Sequence, residues 1–411
     1  MVKLSLCLIV KNEEVFLEEC LLSVQGLVDE IVIVDTGSTD KTKEIAVKFT
    51  SKVYDFEWCD DFAAARNESL KYVTGDWILV LDADEVIAKE DFGRIRNLIE
   101  KDKFKGYYVC QRNYTNNNTI TEFVYANSAE MRKKIKGFLG WSDCWIVRLF
   151  AKDEKIKFLG EVHEVVDKNL SENGYEIGFS NIIINHYGEL KNIYSNSSNS
   201  NNNLLEKLYF YKKLAEKKVK NNPNTARVHD ELAIIYRKLG NSADAEKEWD
   251  KCLKINDNYV PALLEKASLT KKRGNFQEAL EYYNKIVNLR SDLPEAFLGL
   301  GICYVNLNDL ARAQYCFNLA IKLNSNYFEA WVNLGVVCER LNQLEEAKVV
   351  LMKALDIYKD SERAYYNLGV VYEKEFDLGR AVDFYKKALE LGYKDKELEE
   401  RVIKIEEILN D

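Results

Sequence analysis

The chain has 411 residues, of which 47% are hydrophobic and 30% are charged, a balance that excludes a largely disordered protein. A chain of this length is longer than a domain with a single hydrophobic core usually is, so we expect two or more domains. The net charge of −9 excludes a nucleic-acid binder that relies on bulk positive charge, and no apolar run approaches the length of a membrane span. Nine scattered cysteines without a Cys-x-x-Cys pair favour a reducing, cytoplasmic location.

The first 190 residues alternate strand-like and helix-like patterns. The continuous apolar run Leu4–Val10 is typical of a buried parallel strand, and Asn12 after it can cap the first helix. Further strands are predicted at residues 30–34, 52–54 and 77–81, and further helices at residues 41–50 and 61–73. This alternation predicts an α/β fold with an open, Rossmann-like sheet, in which ligands bind beyond the carboxyl ends of the strands. The polar residues at those ends are Asn12, Asp35, Asp82 and Asp84.

Asp82 and Asp84 stand two residues apart at the end of the fourth predicted strand. On an extended backbone they project to the same side, where two carboxylates repel unless a cation lies between them. A hard divalent cation that also binds phosphate oxygens would remove this repulsion. The alternative interpretation is an acidic turn exposed to solvent. Asp35, which can accept hydrogen bonds from a base or ribose, and Arg66, which can offset phosphate charge, favour the cation.

The second half of the sequence repeats itself every 34 residues. Small residues recur at this spacing at Ala233, Ala267, Gly301, Gly335 and Gly369. Large apolar residues recur at Trp249, Tyr283, Phe317, Leu351 and Tyr385. The pattern predicts an all-α solenoid in residues 204–411, with five units at about 226–395 and a capping helix at 396–410. The Ser/Asn-rich run at residues 195–203 predicts a linker to the first domain, residues 1–194.

These patterns resemble those of known families. The repeats resemble tetratricopeptide repeats, and the first half resembles the nucleotide-binding half of an inverting family 2 glycosyltransferase with the GT-A fold. Four segments carry the second resemblance: Leu6–Glu14, Glu30–Thr42, Asp60–Leu70 and Gly75–Ile87.

The resemblance implies roles for individual residues. Asp35 is expected to contact the base of a nucleotide sugar, with UDP favoured, and Asp82 to lie near the ribose. Asp84 is expected to hold Mn²⁺ or Mg²⁺ on the diphosphate. Arg66 and Asn67 match an Arg-Asn pair of the family beside the sugar nucleotide, where Asn12 is also expected.

The segments Trp145–Phe150, Gly160–Glu164 and His186–Gly188 are similar to a branch of family 2 that carries tetratricopeptide repeats. This branch includes bacteriocin peptide S-glycosyltransferases, and some lipopolysaccharide core transferases share the His-Glu motif. We expect His186 to be a metal ligand or a diphosphate contact. His163 is expected to bind the acceptor, with a packed core histidine as the alternative.

Inversion at a sugar carbon needs one base on the acceptor side. Glu164 is the first candidate and Asp143 is the second. The sequence therefore predicts a metal-dependent transferase whose acceptor is a Ser, Thr or Cys side chain of a peptide or protein. A surface saccharide, a lipid-linked glycan, and an inactive nucleotide-sugar-binding scaffold are the alternatives.

The predicted solenoid offers a concave surface that suits an extended peptide. Asn333 and Asn367 stand at the same position of the last two units, where their amides can bind a peptide backbone. Homodimerisation through the repeats and plain structural support are the alternatives. Residues 116–136 show no clear periodicity, which predicts either a lid over the site or a solvated loop.

Overall fold

The computed structural model describes residues 2–118, 123–127, 129–160, 164–190 and 200–410. Two compact units are present. The first comprises Met1–Ile120 and Phe138–Ser198, and the second comprises Thr121–Gly137 and Asn199–Asp411. The segment Thr121–Gly137, here called the insert, therefore belongs to the second unit although the first unit flanks it in sequence.

The first unit is built on a mixed sheet. Its strands are β1 Leu4–Val10, β2 Glu30–Asp35, β3 Val53–Asp55, β4 Trp77–Val80, β5 Glu85–Ile87, β6 Gly106–Thr115, β7 Gly140–Ala151 and β8 Ile177–His186. They lie in the order β3-β2-β1-β4-β7-β6-β8-β5. The first four strands are mutually parallel, whereas β7 is antiparallel to both β4 and β6. The order of the strands reverses at β1, which places the ligand crevice of an open sheet between β1 and β4.

Helices cover both faces of this sheet because the side chains of a strand alternate between them. The helices are α1 Leu17–Ser23, α2 Thr42–Phe49, α3 Phe62–Lys71, α4 Phe92–Lys101 and α5 Asp167–Glu172, with a 3₁₀ turn at Lys89–Asp91. One core contains Leu4, Leu6, Leu8, Leu17, Leu21, Ile95 and Ile99. The opposite core contains Cys7, Val32, Ala63, Ile78, Val80 and Leu170. The predicted α/β sheet is confirmed, and its four predicted strands are within one residue of those observed.

The start of the first helix differs from the prediction. The residue before α1 is Phe16, and no side chain accepts a hydrogen bond at that helix end. Asn12 instead has a φ of 56°, in the left-handed region that Asn tolerates, and its Oδ1 accepts hydrogen bonds from Thr39. The predicted helix cap at Asn12 is therefore wrong, because this amide holds the loop after β2. Asp61 does cap α3, since its Oδ1 accepts from the Ala64 N–H at 3.0 Å.

The second unit is a stack of antiparallel helices. They are α6 Ser200–Asn221, α7 Ala226–Lys238, α8 Ser242–Ile255, α9 Val260–Lys272, α10 Phe276–Leu289, α11 Pro294–Asn306, α12 Leu310–Leu323, α13 Phe328–Arg340, α14 Leu344–Ile357, α15 Glu362–Lys374, α16 Leu378–Glu390 and α17 Lys396–Asn410. Helix α6 begins at Ser200, inside the predicted linker, of which residues 195–199 lie outside the described part of the chain. None of the described helices combines the length and the apolar character that crossing a membrane requires.

The 34-residue ladders have a direct structural cause. In each of the last three units a glycine of the first helix faces the bulky residue sixteen positions later in the second helix. A Cβ atom added to Gly301 would lie 2.4 Å from Phe317, and one added to Gly369 would lie 2.4 Å from Tyr385. Such a distance is too short for any side chain, so these glycines allow each helix pair to pack closely.

Candidate active site

Asp35 ends β2 next to Val10, its register partner on β1. Its Oδ1 accepts hydrogen bonds from the backbone N–H groups of Gly37 at 2.9 Å and Ser38 at 2.8 Å. The other oxygen, Oδ2, is buried and has no hydrogen-bond partner among the described residues. Asn12 supports this loop, because its backbone N–H donates to Oγ of Ser38 at 3.0 Å. The loop thus holds one carboxylate oxygen in place and leaves the other available to a ligand.

Asp82 lies between two arginines. Oδ1 accepts a hydrogen bond from Nη2 of Arg66, and Oδ2 accepts one from Nη2 of Arg148 at 2.7 Å. Arg66 also donates through Nε to Glu164 at 3.2 Å, and Arg148 contacts Glu85 at 3.2 Å. The five side chains form one chain of alternating charge. A mostly buried arrangement of this kind requires each ion to be paired.

These charges shift the pKa values of the buried carboxyl groups in opposite directions. Burial raises the pKa of Asp82, but Arg148 and Arg66 outweigh it and hold this pKa well below the ordinary value. Burial raises the pKa of Glu85, and the neighbouring Asp82 adds to the increase against the opposing effect of Arg148. Glu85 also accepts a hydrogen bond from the backbone N–H of Asp82 at 2.7 Å. The Glu85 side chain thereby holds the turn that follows β4.

Two buried nitrogen atoms of these arginines are available as hydrogen-bond donors to a ligand. Nη1 of Arg66 and Nε of Arg148 are buried, and neither has a hydrogen-bond partner within the described ranges. A buried N–H group without an acceptor costs about 1–3 kcal/mol, more when the group is charged. Both guanidinium groups already contact the Asp82 carboxylate. Donors left open at this position suit an anionic ligand such as a diphosphate.

Asp84 lies in the same turn as Asp82 and faces His186. Nε2 of His186 lies 3.6 Å from Oδ2 of Asp84. Burial lowers the pKa of His186, but its contact with Asp84 and the charges of Asp84, Glu85 and Asp82 raise it above the ordinary value. A Cβ atom added to Gly188 would lie 2.7 Å from Nε2 of His186 and 3.3 Å from Oδ2 of Asp84. The missing side chain of Gly188 therefore leaves space beside both potential ligand atoms.

Carboxylate and imidazole are suitable ligands for Mn²⁺, and Asp84 alone suits Mg²⁺. Across the described part of the chain, no three His, Cys, Asp or Glu side chains cluster in the way that a preformed metal site requires. The Asp84–His186 pair thus fits a cation that takes its remaining ligands from a bound diphosphate and water. Binding would displace the proton from Nε2, as metal binding to histidine requires.

The remaining predicted site residues are engaged in other ways. Nδ2 of Asn67 donates to the backbone oxygen of Phe158 at 3.0 Å, and its Oδ1 accepts from the Phe158 N–H at 2.8 Å. Asp143 forms a bidentate ion pair with Arg112, at 2.9 Å and 2.8 Å. His163 lies outside the described residues. Glu164 is joined to the site through Arg66.

In the solenoid, Asn333 and Asn367 are half-buried residues of α13 and α15. The Asn333 amide donates to the backbone oxygen of Glu329, four residues earlier, at 2.6 Å. This hydrogen bond uses one of the two N–H donors of the Asn333 amide.

Two residues of the charge chain were missed by the sequence reasoning. Arg148 is the lone charged residue in the apolar segment Trp145–Phe150, and Glu85 directly follows the Asp-x-Asp pair. A charge within an apolar strand is seldom buried unless it is paired, which is a signal that the sequence already contains. The identity of the partner, Asp82, depends on the pairing of β4 with β7.

Models of known protein families match parts of both units. Residues 5–156 match the family model for glycosyl transferase family 2. Residues 226–259 match the tetratricopeptide repeat model, and residues 246–398 match the C-terminal ARM domain of tetratricopeptide repeat protein 21. The chain therefore joins a family 2 glycosyltransferase domain to a tetratricopeptide-repeat solenoid, and both resemblances stated from the sequence are confirmed.

Several relatives share parts of this arrangement. A TPR repeat-containing protein of Synechococcus elongatus is 34% identical over 194 residues, 46% of this chain and 43% of that protein. The SPbeta prophage-derived glycosyltransferase SunS of Bacillus subtilis is 28% identical over 190 residues, 43% of this chain and 40% of that protein. The crystal structure of YrrB, a TPR protein, matches 46% of this chain with 21% identity and a TM-score of 0.41. The matches span less than half the length of these two curated relatives.

Proposed function

We propose that this protein is a glycosyltransferase whose donor is a nucleotide sugar, with UDP favoured as the nucleotide. The observation that supports this is a set of buried polar atoms that have no hydrogen-bond partner among the described residues: Oδ2 of Asp35, Nη1 of Arg66 and Nε of Arg148. A carboxylate oxygen suits the N–H groups of a base or the hydroxyls of ribose, and guanidinium donors suit a diphosphate. An inactive scaffold would have no physical need for buried donors that lack an acceptor.

We further propose that Asp84 and His186 hold Mn²⁺ or Mg²⁺ in the space beside Gly188. The cation, when bound, neutralises charge that develops on the leaving diphosphate. Arg66 and Arg148 meanwhile fix the Asp82 carboxylate, so that the turn carrying Asp84 keeps its shape. Asn12 and Asn67 hold the backbone around the donor, the first through the loop after β2 and the second through Phe158.

Glu164 is the proposed general base. Inversion requires that the acceptor oxygen or sulfur lose its proton to this base as it forms a bond to C1 of the sugar. The bond from C1 to the diphosphate oxygen breaks in the same step, and the nucleoside diphosphate leaves with that electron pair. Asp143 is the second candidate, but Arg112 holds both of its oxygens. His163 is proposed to contact the acceptor.

The proposed acceptor is a Ser, Thr or Cys side chain of a peptide or protein. The resemblance of residues 145–188 to a peptide-modifying branch and the attached solenoid support this assignment. A surface saccharide or a lipid-linked glycan is the second candidate, because the hydrogen bond from the Asn333 amide to the Glu329 backbone weakens the case for peptide binding at that position. Pairing of two chains through the repeats is a further proposed role for the solenoid.

Release of the nucleotide from a panel of nucleotide sugars with Mn²⁺ tests the donor assignment. We expect turnover with one UDP-sugar, loss of turnover in EDTA, and loss in the Asp35→Asn and Asp84→Ala variants. Asp102→Asn is the matched control, because Asp102 is an exposed residue with a φ of 40° that Asn tolerates well. Full activity of Asp84→Ala in EDTA would show that this site needs no cation.

The acceptor assignment is tested in the full chain. Changing Asn333 and Asn367 together to Ala should raise KM for a peptide acceptor more than it lowers kcat, because substrate positioning and not chemistry is affected. Unchanged KM for every peptide, with transfer to a saccharide retained, favours the second candidate.

A further inference from the structure

The insert contacts the solenoid through a tyrosine. Tyr125 has only 5% of its surface exposed. Its hydroxyl donates to Oε1 of Glu329 at 2.8 Å, and its ring stacks on Tyr358 with centroids 4.6 Å apart. The same ring meets the edge of Phe328 at 5.0 Å, and Phe123 packs against it at 4.8 Å. Such aromatic contacts add to the stabilisation that comes from burying apolar area.

An arginine forms the second contact. Arg132, in the short insert helix Ala129–Lys134, pairs with Asp360 in the loop after α14. Its guanidinium also lies 5.9 Å from the ring centroid of Tyr358, within the range of a cation–π contact. Tyr125 and Arg132 are thus held by one patch, here called the Tyr358 surface, which consists of Phe328, Glu329, Tyr358 and Asp360.

The Tyr358 surface is built only once in the repeat array. One unit earlier, Pro294 and Asn324 stand at the positions of Phe328 and Tyr358. One unit later, Glu362 and Gly392 stand there. The packing of the repeats does not require an aromatic pair at these positions, because the neighbouring units fold without one.

Glu329 is a mostly buried carboxyl group at this surface, and Tyr125 of the insert donates to it. Burial raises the pKa of this carboxyl group, and its hydrogen bond with Tyr125 opposes the increase. A carboxyl group in such a position is costly unless a donor reaches it. The insert provides that donor, whereas α13 itself uses the backbone oxygen of Glu329 for Asn333.

We propose that the Tyr358 surface is a peptide-binding site of the solenoid whose ligand is a segment with a tyrosine followed seven residues later, in a short helix, by an arginine. The chain's own insert is the occupant. A second molecule carrying the same pattern competes with the insert for the surface, and the insert is released when it binds. This inference rests on the contacts of the second unit and is independent of the proposed transferase activity.

Competition by a synthetic peptide tests the proposal. The probe is a fluorescent peptide with the sequence of residues 121–137, and its binding is followed by anisotropy. In wild-type protein the surface is already filled, so the peptide should bind weakly. In the full-length double variant Tyr125→Ala/Arg132→Ala the surface is vacated, and the peptide should bind at least tenfold more tightly.

Two further variants complete the design. Adding Glu329→Ala and Asp360→Lys to the double variant should abolish the tight binding, and a probe with the Tyr125 and Arg132 positions changed to Ala should not bind. Equal affinity of the peptide for wild type and the double variant overturns the proposal. Tight binding that survives loss of Glu329 and Asp360 overturns it as well.

A measurement on nearly native protein guards against misfolded variants. Asp360→Asn should speed tryptic cleavage after Arg132, Lys133 and Lys134 several-fold, because the ion pair that holds Arg132 is lost. Asp292→Asn is the matched control, since Asp292 stands at the equivalent position two units earlier and pairs with Arg290. Equal cleavage rates for the two variants contradict the proposed site.

Discussion

Nδ1 of His186 lies 2.6 Å from Oδ1 of Asn113, its register partner on the adjacent strand. An amide oxygen can only accept a hydrogen bond, so this contact places a proton on Nδ1. The other nitrogen, Nε2, is then directed toward Asp84 and the space beside Gly188. A partner of this kind fixes the tautomer and the ring orientation of a metal-binding histidine, so its loss weakens metal binding.

Replacement of Asn113 should therefore weaken metal binding. We expect Asn113→Leu to lower the affinity for Mn²⁺ by about 10- to 100-fold, with kcat at saturating metal changed much less. Asn113→Asp retains an oxygen acceptor and should restore most of the affinity. Titration calorimetry with Mn²⁺ measures both, and equal affinity of wild type and Asn113→Leu would disprove a positioning role.

Gly188→Ala should close the proposed cation site without unfolding the protein. Its Cβ atom would lie 2.7 Å from Nε2 of His186, where the cation is expected. We predict that Mn²⁺ binding and nucleotide release are lost, while the thermal midpoint changes by only a few degrees. Gly93→Ala is the control, because nothing lies within 4 Å of its added Cβ. That change should stabilise α4 by about 0.5–1 kcal/mol and leave activity unchanged.

Removal of Arg148 should destabilise the first unit. Arg148→Met leaves Asp82 paired with Arg66 alone and leaves Glu85 without an arginine among the described residues. Breaking a buried ion pair costs about 3–5 kcal/mol. Adding Glu85→Gln to this variant removes the unpaired charge and should recover part of the loss. Urea unfolding of the single and double variants measures the coupling. Strictly additive effects would show that Arg148 and Glu85 do not act as a pair.

Stability should fall at acid pH through Glu30. Burial raises the pKa of this carboxyl group, but hydrogen bonds from Lys52, Ser5 and Thr74 outweigh burial and lower the pKa from 4.5 to about 2. A lowered folded-state pKa gives stabilisation that is complete above pH 4.5 and is lost as pH falls toward 2. The effect is about 1–3 kcal/mol.

Glu30→Gln cannot ionise and isolates this effect. The range from pH 5 to pH 3 covers about one pH unit on either side of the ordinary carboxyl pKa. Across it, at constant ionic strength, the free energy of unfolding of wild type should decline more steeply than that of Glu30→Gln. Glu57→Gln, at an exposed residue of the same unit, is the control and should follow wild type. Parallel curves for wild type and Glu30→Gln would contradict the prediction.

The sequence was sufficient for elements whose cause is local. Continuous apolar runs such as Leu4–Val10 and the 34-residue ladders predict strands and helix pairs, because burial at a fixed period determines both. Asp35, Asp82 and Asp84 were found because they follow strands directly. The resemblance supplied their expected roles, which remain proposals.

The contacts that were missed join residues far apart in sequence. Arg148 reaches Asp82 across 66 residues, so its role depends on which strands become neighbours. Asn67 was expected beside the sugar nucleotide, but its pairing with Phe158 spans 91 residues and could not be inferred from the helix alone. The insert shows no hydrophobic periodicity in its sequence. Its Tyr125 and Arg132 are held by contacts with the Tyr358 surface, which are distant in sequence. Local sequence does not contain that information.

The contact between Tyr125 and Glu329 spans 204 residues and therefore has a consequence for synthesis on the ribosome. Chain elongation at about 5–20 residues per second separates the emergence of these two side chains by roughly 10–40 s. During that interval Phe123 and Tyr125 have been made but the surface that buries them has not. A nascent chain would therefore expose this aromatic pair until the fourth repeat emerges.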